Sequence, residues 1–362
     1  MSKHEVKVVK VENIRMHPNA DMLEITDVWG YQCVIGKGKH RVGDLLAFIE
    51  PDYLVPVNRP EFAFLDKGKG KLQERITMRK FRGEPSYGLL IAAPQGAQEG
   101  DDVMSLLGVE RYEPPMGGSG KGGPTGFLSG LCEAGPEFPV PVYDLENFKK
   151  YHKLFEEGEE VILTEKVHGT NARFVFDPEQ GKMFCGSRTT WKKEPGISLG
   201  VKTYKNEETG EEFTRESFTP DSAWWAALKQ NPWIEQWCKA HPGVVLYGEV
   251  YGPNVQGAQF HYGKKQGEYG FAVFDILDHG KWVDNTKLFD DPTYTDGLVE
   301  TVKVLYRGPL NKEVVFSLSE QDSSYPEQKV REGVVIKPVQ ERRDVRFGRI
   351  ALKNVSDRYL ML

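Results

Sequence analysis

Short alternations of apolar and polar residues run through the first third of the chain. Glu5 to Val11, Gln32 to Ile35 and Leu45 to Ile49 each read as a strand, with turn signals at Gly36, Gly38 and Gly43. The pattern predicts a small all-β barrel over residues 1–113. A stretch dense in glycine, proline and serine follows and predicts a connector or loop over 114–140. Beyond it the pattern predicts an α+β domain over 141–362. Asp144 is placed to cap a helix holding Leu145, Phe148 and Phe155, and a run of strands begins at Glu160 to Glu165. A second helical stretch opens at Asp221 or Ser222, and Asn231-Pro232 restarts a turn as cap and first residue.

Length and composition agree with two domains. A chain of 362 residues can bury a core in each half. With 39% hydrophobic and 28% charged residues and no apolar run of about 18 residues, no membrane span is expected. Met1 to Asp21 lacks the apolar block of a secretory signal, so a cytoplasmic location is expected. Cys33, Cys132, Cys185 and Cys238 show no Cys-x-x-Cys spacing, which suits a reducing compartment and no structural zinc. The formal net charge of −6 means that any phosphate binding must come from local clusters of lysine and arginine.

The candidate chemistry centres on Lys166-Val167-His168-Gly169, where the apolar strand Val161-Ile162-Leu163 runs out. A Lys-x-x-Gly tetrapeptide alone carries little weight. Others begin at Lys67, Lys80, Lys193 and Lys264, and chance alone would give roughly three. Lys166 stands apart because further segments follow it in order: Gly186 to Thr189, Leu246 to Gly252, Phe271 to Ile276, Arg331 to Pro338 and Ile350 to Asn354. Each puts charged residues at the margin of an apolar strand. Taken singly, Glu249 and Glu332 read equally well as sheet-edge carboxylates, Lys337 and Lys353 as strand-end cations, and Phe274 as core. Together they supply what phosphoryl transfer needs: a nucleophile, cations for phosphate oxygens, and carboxylates for a metal.

These segments resemble motifs I, Ia, III, IIIa, IV and V of the covalent nucleotidyltransferase superfamily of ligases and capping enzymes. Thr164 to Asn171 is most similar to motif I of the double-strand RNA ligases of the second phage type, which also carry His two places after the lysine. In DNA ligases and capping enzymes an oligonucleotide-binding (OB) barrel follows motif V, whereas only nine residues follow Lys353 here. The barrel comes first, and Val42 to Leu46, Arg79 to Gly83 and Leu107 to Pro115 resemble the N-terminal OB domain of the fifth class of RNA ligases. His17 to Ile25 also resembles the opening of tRNA-binding OB modules. The resemblance implies an N-terminal all-β OB-like barrel followed by an α+β nucleotidyltransferase domain with antiparallel sheets.

It also implies an ATP-dependent RNA ligase that seals 3′-OH/5′-phosphate nicks in duplex RNA or RNA–DNA hybrids, with ATP and Mg2+ or Mn2+ as cofactors. The protein is expected to act as a monomer. Lys166 would carry AMP, with Arg188, Glu249, Glu332, Lys337 and Lys353 as its catalytic companions. Glu165, Val167, Asn171 and Phe274 would join them in binding ATP, Phe274 by stacking on adenine. Glu249 would hold the ribose or a metal-bound water and Glu332 a metal-bound water, with His168 standing where the fifth class has an Asp. A free lysine has a pKa of about 10.4. Lys166 is therefore expected to be tuned downward by Lys337, Lys353 and a divalent metal. In the first domain Arg75, Arg79, Lys80 and Arg82 would hold backbone phosphates. Two rival readings remain at this stage: another superfamily enzyme, such as a DNA ligase or capping enzyme, and a non-catalytic OB nucleic-acid-binding protein.

Overall fold

The computed structural model describes residues 4–68, 70–112, 130–205, 212–257, 259–345 and 347–362. The chain divides into two compact units, Met1–Pro114 with Leu360–Leu362, and Pro115–Tyr359.

The first unit is assembled from short antiparallel sheets. Leu45–Ile49 pairs with Lys7–Lys10 on one side and Leu89–Ala92 on the other. Leu23–Val28 pairs with Arg15–Met16 and Tyr31–Gly36. Tyr53–Pro56 pairs with Gln73–Arg75 and Glu110–Arg111. Strict alternation in Tyr31–Gly36 turns Tyr31, Cys33 and Ile35 inward, as a period of two requires. A separate hairpin pairs Arg79–Phe81 with Glu84–Ser86. Its two turn residues, Arg82 and Gly83, are both left-handed at φ 48° and 95°, the geometry that matches the twist of paired strands.

The second unit holds two larger sheets. In the five-stranded sheet, Glu160–Lys166 lies between Gly333–Pro338 and Val304–Pro309, and Leu352–Val355 flanks Gly333–Pro338. Val161, Leu163, Val334, Ile336 and Leu352 face a core shared with Phe148 and with Val315 of the helix Lys312–Ser319. Alternation therefore turns Thr164, Lys166, Val335 and Lys353 to the opposite face. In the seven-stranded sheet, Thr170–Asp177, Val245–Tyr251 and Gly270–Asp278 are neighbours. One face packs Phe174, Leu246 and Phe271 against Trp225, Leu228, Ile234 and Trp237 of the helices Ala223–Gln230 and Trp233–Ala240.

Some boundaries differ from the sequence reading. Asp144 caps no helix, because Glu146–Asn147 first forms a short strand parallel to Leu352–Val355. Asn147 instead caps the single turn Phe148–Tyr151 by accepting from Lys149 N at 2.9 Å. Pro232 takes the N-cap of its helix rather than the first helical position. Of the expected connector 114–140, residues 114–129 lie outside the described residues. The remainder is built into the second unit: Cys132–Glu133 pairs with Trp191–Lys192 at the sheet edge. Among the described residues no helix is long and apolar enough to cross a membrane.

Candidate active site

A cleft of about 180 Å³ opens between the two sheets of the second unit. The five-stranded sheet contributes Thr164, Lys166, Val335 and Lys353 to its lining, and the seven-stranded sheet contributes Asn171, Glu249 and Phe274. The strand registers explain this convergence. Thr164 is opposite Val335, Val335 is opposite Lys353, and Asn171 is opposite Glu249. Glu165, Val167, Arg188, Tyr143, Asp144 and Val302 complete much of the wall.

Lys166 ends its strand with Nζ donating to Glu332 Oε1 at 2.6 Å. Burial alone would lower its pKa, but the charges of Glu332 and Glu249 outweigh it and hold the ammonium above its ordinary value. The direction is opposite to the expected downward tuning, because the charges that act on it are the Glu332 and Glu249 carboxylates. The Lys353 pKa is lowered, first by burial and then by the Lys166 charge. Burial pushes the Glu249 carboxyl up to about 8, although Lys166 opposes the rise.

Lys337 does not line the cleft. Its side chain is fully buried, with Nζ donating to Asp275 Oδ2 at 2.7 Å and to the Phe274 carbonyl at 2.5 Å. Arg349 forks onto the same Asp275 at 2.7 and 3.0 Å, and the Tyr143 hydroxyl donates to it at 2.5 Å. Lys337 thus holds the backbone of Phe274 and lies outside the lining of the cleft, where the sequence reading places a triphosphate contact. Asp275, Arg349 and Tyr143 were missed from sequence. The available signal was a carboxylate inside the apolar run Phe271 to Ile276, since a buried aspartate requires partners.

Glu165 lines the cleft, but its carboxylate is engaged elsewhere. Oε1 accepts from Ser323 Oγ at 2.5 Å, Oε2 accepts from Ser324 N at 2.8 Å, and Arg331 stands 3.5 Å away. His168 does not join the carboxylates. Its ring packs on Phe260 at 4.0 Å, and burial lowers its pKa, which favours the neutral form. Its Nδ1 meets the Tyr359 hydroxyl at 2.7 Å, so it is not placed as a metal group. Arg188 stays exposed, with Nη1 3.5 Å from Asp144 Oδ1. The following Gly169 is required by space: a Cβ there would lie 2.2 Å from the Val250 carbonyl and 3.0 Å from Glu249 Cγ.

A divalent metal fits beside Lys166 on one observation. Glu332 Oε2 and Asn171 Oδ1 are buried without a hydrogen-bond partner, and such orphaned acceptors call for a ligand. Among the described residues no cluster of three His, Cys, Asp or Glu side chains forms a metal cage. A metal here would draw the rest of its shell from substrate oxygens and water.

In the first unit Arg75, Arg79, Lys80 and Arg82 are all exposed. Arg75 is the least available, because it binds Asp52 at 2.5 Å and stacks over Tyr112 at 3.9 Å. Arg79, Lys80 and Arg82 project from the hairpin; Arg79 is 3.4 Å from Glu74, and Lys80 donates to the Met361 carbonyl.

The RNA ligase family model matches residues 159–355, and an OB-fold domain model matches residues 5–93. No curated protein matches the sequence. Among solved structures, Naegleria gruberi RNA ligase with PPi is 23% identical, with a TM-score of 0.70 over 99% of this chain and 98% of that chain. A mutant of that ligase with ATP and Mn is 22% identical, with a TM-score of 0.68 over 99% and 98%. A further mutant with AMP and Mn is 22% identical, with a TM-score of 0.69 over the same shares. At this identity the likeness shows a shared fold.

Proposed function

The chain belongs to the RNA ligase family, and from that premise we propose that it is an ATP-dependent ligase sealing 3′-OH/5′-phosphate nicks in duplex RNA or RNA-containing duplex. The observation that carries this reading is the convergence of Lys166, Glu249, Lys353 and Phe274 on one cleft, with Glu332 paired to Lys166 at 2.6 Å. The similar Naegleria ligase has been captured with ATP and Mn, which supports ATP and a divalent metal as the cofactors.

Lys166 Nζ attacks the α-phosphorus of ATP, forming a P–N bond while the bond to pyrophosphate breaks. A 5′-phosphate oxygen then takes the AMP and returns the electron pair to Nζ. Finally the 3′-OH attacks that 5′-phosphate, AMP departs, and the phosphodiester closes. Phe274 and Val335 offer apolar surfaces for the adenine, Lys353 and Arg188 meet phosphate oxygens, and Asn171 and Glu249 face them from the second sheet. A metal held at Glu332 and Glu249 would neutralise the carboxylates that keep Lys166 protonated. Alignment and charge stabilisation carry such transfers, so no strong base is needed.

The substrate test compares duplexes carrying one nick with 5′-phosphate and 3′-OH ends. A nick with two ribonucleotides at its 3′-OH side should be sealed well even where the other strands are DNA, because the 2′-OH is what separates RNA from DNA. Equal sealing of an all-DNA nick would contradict the RNA preference. Failure to seal any nick would contradict the nick as substrate.

A further inference from the structure

Two residues past Lys166, the loop that joins the two sheets is locked by a set of contacts that the transfer chemistry does not use. The His168 peptide N–H donates to the Tyr262 hydroxyl at 2.7 Å. Gln256 grips the loop twice: its Nε2 donates to the Gly169 carbonyl at 2.6 Å, and its own carbonyl faces His168 Nε2 at 3.4 Å. Gln256 holds a left-handed φ of 54°, a conformation that non-glycine residues keep only where the surroundings impose it. Phe260 covers one face of the ring at 4.0 Å.

The Gln256 carbonyl facing Nε2 favours one tautomer. A carbonyl can only accept, so Nε2 carries the proton and Nδ1 presents its lone pair. The Tyr359 hydroxyl, 2.7 Å from Nδ1, is the donor. Tyr359 is itself fixed from the far side of the chain. Its N–H donates to Ser356 Oγ at 3.2 Å, Ser356 Oγ donates to Glu320 Oε2 at 3.1 Å, and Glu320 accepts from Asp357 N at 2.8 Å.

We propose that Tyr359 is a positioning residue of the ligase reaction: by donating to His168 Nδ1 it fixes the loop that aims Lys166 and seats Gly169 against Glu249. This rests on the ligase reading and adds to it a residue outside the nucleotidyltransferase motifs. Tyr359 is not among the residues that line the cleft. Its loss therefore misaligns Lys166 without weakening ATP binding, and alignment governs transfers of this kind.

The test measures single-turnover AMP transfer to the full chain, with ATP and Mn2+, for the unaltered protein, Tyr359→Phe, His168→Ala and the double variant. Tyr359→Phe keeps the ring and should slow adenylation about tenfold at saturating ATP, the scale of one lost hydrogen bond, with the KM for ATP unchanged. The double variant should be no slower than His168→Ala alone, because the tyrosine acts only through the histidine. Nitrogen NMR of the unaltered protein, with His168→Ala for assignment, should show the Nε2–H tautomer. A Tyr359→Phe rate within twofold of the unaltered protein, losses that multiply in the double variant, or an Nδ1–H tautomer would each overturn the proposal. If the unaltered protein takes up no AMP, the ligase reading itself fails, and the tautomer measurement still decides the Tyr359 contact.

Discussion

Lys166 Nζ and Glu332 Oε1 stand 2.6 Å apart, so a carboxylate proposed to hold metal holds the proposed nucleophile as an ammonium. The pair parks the lysine in a charged, unreactive form.

Glu332 is the leading cause that raises the Lys166 pKa, and replacing it should release the amine. In ATP-free Glu332→Gln, the pH at which Lys166 becomes reactive toward an acylating reagent should fall, as read from modified-peptide mass spectra. An unchanged midpoint would mean that the pair does not control the amine. Adenylation should nevertheless drop in this variant, because the metal site is lost with the carboxylate.

Glu249 predicts a pH dependence of metal binding. Its carboxyl, raised to about 8 by burial, is mainly protonated below that pH, and the protonated form is the poorer partner for a metal-bound water. Apparent Mn2+ affinity in the presence of ATP, measured by calorimetry, should therefore tighten as pH rises through about 8. Glu249→Gln should remove most of that slope; a slope equal to that of the unaltered protein would assign the proton elsewhere.

Lys337 and Lys353 should separate in their effects. Lys337→Ala leaves Asp275 with less than its full set of partners at a fully buried position, and breaking such a pair costs about 3–5 kcal/mol. Denaturant unfolding should show that loss. Lys353→Ala, at the cleft surface, should depress adenylation with little change in the unfolding midpoint. The reverse pattern would contradict the placement of both lysines.

Much of this site is legible in the sequence, for local reasons. The apolar run Val161-Ile162-Leu163 predicts a strand, and the position of Lys166 at its end predicts exposure to a ligand. Phe274, Glu249 and Lys353 follow from motif order, and all line the cleft. The rest depends on pairings between distant segments that no local pattern encodes. Lys337 shares a strand face with Val335, yet Asp275, 62 residues away in the chain, captures it. His168 reads as a stand-in for a metal-linked aspartate until Tyr359, 191 residues away, meets its ring. Asp144 has a capping side chain, but the turn it precedes begins only after Asn147.

The exposed hairpin cations of the first unit should matter for sealing and not for AMP uptake. Arg79→Ala and Arg82→Ala should leave adenylation without nucleic acid unchanged. Each should reduce the dependence of duplex binding on the logarithm of salt concentration by about 0.9 for a lost phosphate contact. Salt slopes matching the unaltered protein would place the phosphate contacts elsewhere.

Every step proposed for this site depends on covalent attachment of AMP to Lys166. Incubation with ATP labelled at the α-phosphate and Mn2+, followed by a denaturing gel and peptide mapping, measures it directly. An acid-labile, alkali-stable label is expected on the peptide containing Lys166, abolished in Lys166→Ala and unaffected in variants of Lys67, Lys80, Lys193 or Lys264. Label retained in Lys166→Ala would contradict it.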